Sequence, residues 1–125
     1  LAYTSLKNFK GGNTITTISG NAFSNSALKE CDISATSVTT LAGAFSGCTK
    51  LTNIKLPNVL ETIGVNCFSG CTALTDVTIP TSVTSIDSTA FANCPSLKTI
   101  TIKKSTDSIK NAPWGATNAE IMWEE

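Results

Sequence analysis

The chain has 125 residues, the length of one domain, and its nine basic side chains balance nine acidic ones for a formal net charge of zero. That balance excludes a nucleic-acid groove or a polybasic membrane patch, both of which need excess positive charge. Histidine, the commonest general base and metal ligand, is absent, and no apolar run approaches the roughly 18 residues of a membrane-spanning helix.

Residues 1–14 read as a partial coil, because Leu6-Lys7-Asn8-Phe9-Lys10-Gly11 fits the strand portion of the repeats that follow. There is no initiating Met, no signal peptide and no recognisable cap. A targeting segment is expected to have been removed or to lie outside this piece, and either further repeats precede Leu1 or another domain covers that end. Residues 15–102 then repeat. Phe23, Phe45, Phe68 and Phe91 are spaced by 22, 23 and 23 residues, and another 23 reaches Trp114. Each Phe sits in a near-copy of one stretch: Ala22-Phe23-Ser24-Asn25, Ala44-Phe45-Ser46-Gly47-Cys48, Cys67-Phe68-Ser69-Gly70-Cys71 and Ala90-Phe91-Ala92-Asn93-Cys94. A period in the low twenties falls in the range of leucine-rich solenoids.

Each coil divides into three parts. The first predicts a strand: Leu28-x-x-Cys31-x-Ile33, Leu51-x-x-Ile54-x-Leu56, Leu74-x-x-Val77-x-Ile79 and Leu97-x-x-Ile100-x-Ile102. Its last apolar residues alternate with polar ones, as in a half-buried strand. Pro57 and Pro80 mark strand ends, since proline has no N–H for a ladder. The second part is an apolar pair, Ile15 with Ile18, Val38 with Leu41, Leu60 with Ile63 and Val83 with Ile86, and predicts a short second strand. The third carries the Phe, followed two residues later by Asn25, Gly47, Gly70 or Asn93. Gly and Asn adopt φ > 0 most readily, so a single helical turn ending there is expected. By the same alignment Ala116 departs from the rule.

Residues 103–125 predict a degenerate capping coil. Lys103 to Ile109 matches Pro80 to Ile86, Pro113-Trp114-Gly115 replaces the Phe stretch, and Ala119-Glu120-Ile121-Met122-Trp123 reads as a final strand. Large aromatics suit an end layer because they cover apolar surface. Stacking turns equivalent positions into columns, with neighbouring strands about 4.8 Å apart. Each buried apolar side chain contributes roughly 1.5–3 kcal/mol, and one coil alone cannot bury its face. The expected fold is a single domain over residues 1–125: a leucine-rich repeat solenoid, right-handed by the bias of parallel crossovers, with parallel β-strands, short helical turns and about 23 residues per coil.

The pattern apolar-x-apolar-Pro-x-x-Val-Thr-x-Ile-x-x-x-Ala-Phe-x-Gly-Cys-x-x-Leu resembles the BspA-like leucine-rich repeats of bacterial surface proteins. Leu51 to Leu74 and Leu74 to Leu97 carry it, with Leu28 to Leu51 a looser copy. The resemblance implies an extracellular or cell-surface setting and a role in adhesion or protein–protein contact, with a host or cell-surface protein as partner. It supplies no catalytic or cofactor-binding residues.

Five cysteines all fall at small or apolar core positions: Cys48, Cys71 and Cys94 in one slot, Cys67 in an alanine slot, Cys31 in a strand. A buried free Cys behaves as a small hydrophobe. A disulfide between stacked thiols fits less well because side chains in one column point the same way. A zinc site through Cys67-x-x-x-Cys71 lacks convergent ligands. The outward strand rows are Lys10, Asp32, Lys55, Thr78, Thr101 and Asn8, Glu30, Asn53, Asp76, Thr99. In register, Lys10–Asp32 and Asp32–Lys55 become neighbours of opposite charge, helping to fix the pairing. Within these rows Glu30, Asp32, Asn53, Lys55, Asp76, Thr78, Thr99 and Thr101 form the candidate partner-binding face, against the alternative of a solvated sheet without Tyr, Trp or Arg anchors. The expectation is a non-enzymatic repeat module with no metal and no cofactor. The alternatives are an accessory segment of a larger secreted enzyme and a structural spacer.

Overall fold

The computed structural model describes residues 5–124. It is a solenoid of parallel strands with about five turns of roughly 22 residues each. The strands are β1 (Asn8–Lys10), β2 (Glu30–Asp32), β3 (Thr40–Leu41), β4 (Asn53–Lys55), β5 (Thr62–Ile63), β6 (Asp76–Ile79), β7 (Ser85–Ile86), β8 (Thr99–Ile102) and β9 (Glu120–Trp123). The main face consists of two ladders, β1-β2-β4 and β6-β8-β9. The second face is one ladder, β3-β5-β7. All pairs are parallel, and equivalent residues are partners: Phe9 with Cys31, Cys31 with Ile54, Val77 with Ile100 and Ile100 with Ile121.

Alternation places one apolar set inside. Leu28, Leu51, Leu74 and Leu97 are fully buried, as are Ile33, Ile79, Ile100 and Ile102. The second apolar pair closes the core from the other side through Val38, Leu41, Leu60, Ile63, Val83 and Ile86. Between them runs a column of rings. Phe23, Phe45, Phe68 and Phe91 stack with centroids 5.5, 5.4 and 5.3 Å apart and interplanar angles of 8°, 3° and 7°. Phe9 adds a tilted ring at 5.1 Å from Phe23.

The expected helical turns are not present: no helix occurs among the described residues. The Phe segment is a run of tight turns instead. Ser46 N–H donates to the Gly43 carbonyl, and Cys48 N–H to the Phe45 carbonyl. In three of the four Phe coils a second left-handed residue stands four places before the predicted one. Asn21 pairs with Asn25, Gly43 with Gly47 and Asn66 with Gly70, all at φ between 55° and 78°. Helical φ cannot continue through these positions. The amide of each Phe points sideways, donating to the next coil: Phe23 to Ala44, Phe45 to Cys67 and Phe68 to Ala90.

The last coil is also shifted from its predicted alignment. Thr117 N–H donates to the Gly115 carbonyl as Thr72 N–H does to Gly70. Gly115, at φ 87°, therefore takes the Gly70 position, and the left-handed rule is kept one residue earlier than Ala116. Trp114 is fully buried, but its recorded ring partner is Trp123, edge-on at 6.2 Å and 64°. Its indole N–H donates to the Lys110 carbonyl at 2.7 Å. The final strand is β9, as expected. Residues 1–4 of the predicted partial coil, and residue 125 of the predicted capping coil, lie outside the described residues.

Candidate functional site

Strand register sets the outward face. Asn8, Glu30 and Asn53 form one row across β1, β2 and β4, and Lys10, Asp32 and Lys55 form the next. Beyond β4, Asp76 partners Thr99, and Thr78 partners Thr101. The predicted opposite charges are neighbours in register, yet the Asp32 carboxylate turns back on its own chain. It accepts Ser34 N–H at 3.0 Å and Ser34 Oγ–H at 2.6 Å. These two bonds hold the carboxyl below its usual range, with Lys55 and Lys10 adding less. The ion pair formed among the described residues is elsewhere, between Lys103 and Glu124.

The ladder breaks once. Thr52 N–H donates to Lys29 and Lys98 N–H to Thr75, each joining neighbouring coils just before the strand. The equivalent bond from Thr75 to Thr52 is absent. After the strand, Lys103 N–H donates to Ile79 at 3.3 Å and Glu124 N–H to Ile102 at 2.7 Å. The equivalent donor to the Leu56 carbonyl is position 80, which is proline and has no N–H. β4 and β6 remain neighbours, with Cα atoms within 8 Å, but they are not laddered. The core beneath is slightly opened: Ile54 and Leu56 are each 7% exposed, against 2% for Val77 and 0% for Ile79.

A cavity of about 440 Å³ lies over this seam, lined among others by Asn53, Lys55, Asn58, Asp76, Thr78 and Lys103. A second, of about 530 Å³, covers β1, β2 and β4 and includes Lys10, Glu30, Asp32, Asn53 and Lys55. The structure thus gathers Glu30, Asp32, Asn53, Lys55, Asp76 and Thr78 around two adjoining crevices. Thr99 and Thr101, half-buried one strand further on, line neither. Sequence reasoning missed Asn58, Thr81 and Lys103, which follow the strands rather than lie in them. Their signal is their place just past the strand ends, two of which Pro57 and Pro80 mark.

The thiols belong to the core. All five are free and buried. Cys48 Sγ–H donates to the Phe23 carbonyl at 3.0 Å, Cys71 to Phe45 at 3.2 Å and Cys94 to Phe68 at 3.1 Å. Burial pushes the Cys31 thiol up to about 12 and raises Cys67 and Cys71 further. Thiols so held are poor nucleophiles near neutral pH. No cluster of three or more metal-ligating side chains occurs among the described residues.

Comparison with known proteins places this geometry in context. The family described as BspA type leucine rich repeat region matches residues 1–118 in six copies. A leucine-rich repeat protein from Bacteroides ovatus superposes with a TM-score of 0.75 at 22% identity, over 98% of this chain and 37% of that one. A leucine-rich cell-surface protein from Faecalibacterium prausnitzii superposes with a TM-score of 0.73 at 25% identity, over 97% of this chain and 33% of that one. The chain spans about a third of the length of these two proteins. No curated protein matches it.

Proposed function

Since the chain belongs to the BspA-type leucine-rich repeat family, we propose that it is a non-enzymatic repeat module of a bacterial surface or secreted protein, mediating adhesion or contact with a protein partner. The observation that carries this reading is the main face. It presents Glu30, Asp32, Asn53, Lys55, Asp76 and Thr78 around two adjoining crevices. Extended surfaces of this kind are how solenoids engage partners. The cell-surface description of the Faecalibacterium protein supports an extracellular or surface setting.

The chemistry of the face supports binding over catalysis. The carboxylates lie on an open sheet rather than in an enclosed cleft, and the nucleophilic thiols are sealed in the core. The test is a pull-down of the chain on immobilised extracellular-matrix proteins, comparing it with the triple variant Asp32→Ala, Lys55→Ala, Asp76→Ala. Retention of the native chain and loss of the variant is the expected result. Equal retention of both excludes the face. No retention of either favours a spacer.

A further inference from the structure

We propose that the crevice over the β4–β6 seam, continued across β2 and β1, binds an uncharged glycan chain. This rests on the partner-binding reading of the same face and names the chemistry that the face recognises. The two cavities share Asn53 and Lys55, so they adjoin as one open channel-like track across the faces of four strands. At about 4.8 Å per strand it runs about 15 Å along the stack, a shape suited to a polymer.

Charge argues for an uncharged ligand. Lys10, Lys55 and Lys103 are matched in the two linings by Glu30, Asp32 and Asp76. Three of each sign leave no net charge along the two linings to gather a polyanion or a polycation. Composition points to the glycan that a partner carries rather than to its polypeptide surface, because no Trp, Tyr or Arg lines either cavity. Those residues dominate protein hot spots.

What the channel offers is hydrogen-bonding capacity of both kinds. The Leu56 N–H and carbonyl are both free of the ladder at the seam. Asn53, Asn58, Thr78 and Thr81 each donate and accept, and Asp76 accepts. A sugar hydroxyl also donates and accepts at once, and vicinal hydroxyls meet a planar carboxylate or carboxamide in pairs. An added peptide strand does not fit between β4 and β6. Their Cα atoms lie within 8 Å, and an inserted strand needs two ladder spacings, about 9.6 Å. Without an aromatic platform each contact is weak, so binding shows on polymers, where repeated engagement multiplies it.

The experiment is affinity electrophoresis of the whole chain through gels containing dextran, mannan, xylan or galactan, with heparin and polygalacturonate as charged controls. At least one neutral polymer is expected to retard the chain and to do so still at about 0.15 M salt. The double variant Asn53→Ala, Asp76→Ala is expected to lose about tenfold or more of that affinity, with its fold checked by circular dichroism. If that variant does not fold, the milder pair Thr78→Val, Thr81→Val decides, because it takes two exposed hydroxyls from the lining while keeping its shape, and should also weaken retardation. Retardation by no neutral polymer, retardation only by the charged controls, or unchanged retardation of the deciding variant overturns the proposal. If it falls while the triple variant still loses its partner in the pull-down, the face stands and only the ligand chemistry is wrong.

Discussion

The cysteine of each Phe turn donates into the coil before it, and that bond sets what the slot tolerates. Cys71 Sγ lies 3.2 Å from the Phe45 carbonyl, which also accepts the Cys48 N–H at 3.1 Å. Removing the thiol therefore leaves the carbonyl one partner and opens a small void. Cys71→Ala should cost about 1–2 kcal/mol, combining a lost weak hydrogen bond with a lost buried atom. Cys71→Ser should cost under about 1 kcal/mol, because a hydroxyl can donate to the same carbonyl. Ser26 already occupies the slot in the first complete coil, buried, with Leu28 N–H donating to its Oγ at 3.4 Å. Urea denaturation of both variants measures the difference, and an equal loss would mean that the bond contributes nothing. The equivalence of Ser26, Cys48, Cys71 and Cys94 is legible in the sequence from spacing alone. The direction of the thiol is not, because it depends on which carbonyl the neighbouring turn presents.

At the scale of the element, the ring column is the most legible feature and the turn around it the least. Spacing of 22 or 23 residues forces Phe over Phe once the strands are in register. Phe68 is fully buried with near-parallel rings on both sides. Phe68→Ala should therefore cost about 3–5 kcal/mol, read as a lowered midpoint in thermal or urea unfolding. A loss below about 1 kcal/mol would place Phe68 outside the core. A helix is absent from the same segment in three coils because two left-handed residues frame it, not one. A single Gly or Asn at the end of the segment suits a helix stop. A pair four residues apart, such as Gly43 with Gly47, forces consecutive turns instead. The coil of Phe91 reaches a comparable corner differently, with the Asp87 carboxylate accepting the Thr89 N–H at 2.9 Å.

For the whole molecule, the seam matters more than any one strand. Repeat stability is a sum of intrinsic and nearest-neighbour terms, so a missing set of rungs weakens one interface rather than the fold. Across the β4–β6 junction the second face stays joined, through the β5–β7 ladder and through the Phe68 and Gly70 amides donating to Ala90 and Ala92. Only the main face opens. The strand-ending role of Pro80 is legible in the sequence, and the register adds that it takes one rung from the Leu56 carbonyl. The break itself is not legible, because Pro57 stands in the same place opposite Ile33, where β2 and β4 remain laddered. Hydrogen exchange tests the consequence directly. Thr75 and Leu56 amides should exchange about tenfold or more faster than Lys98 and Ile33, which occupy equivalent positions and donate across their junctions at 2.8 and 3.0 Å. Phe68 and Gly70 amides, on the joined side of the same junction, should stay protected. Uniform protection of all six would mean that the main face is continuous in solution, and the channel would then lose its open backbone groups.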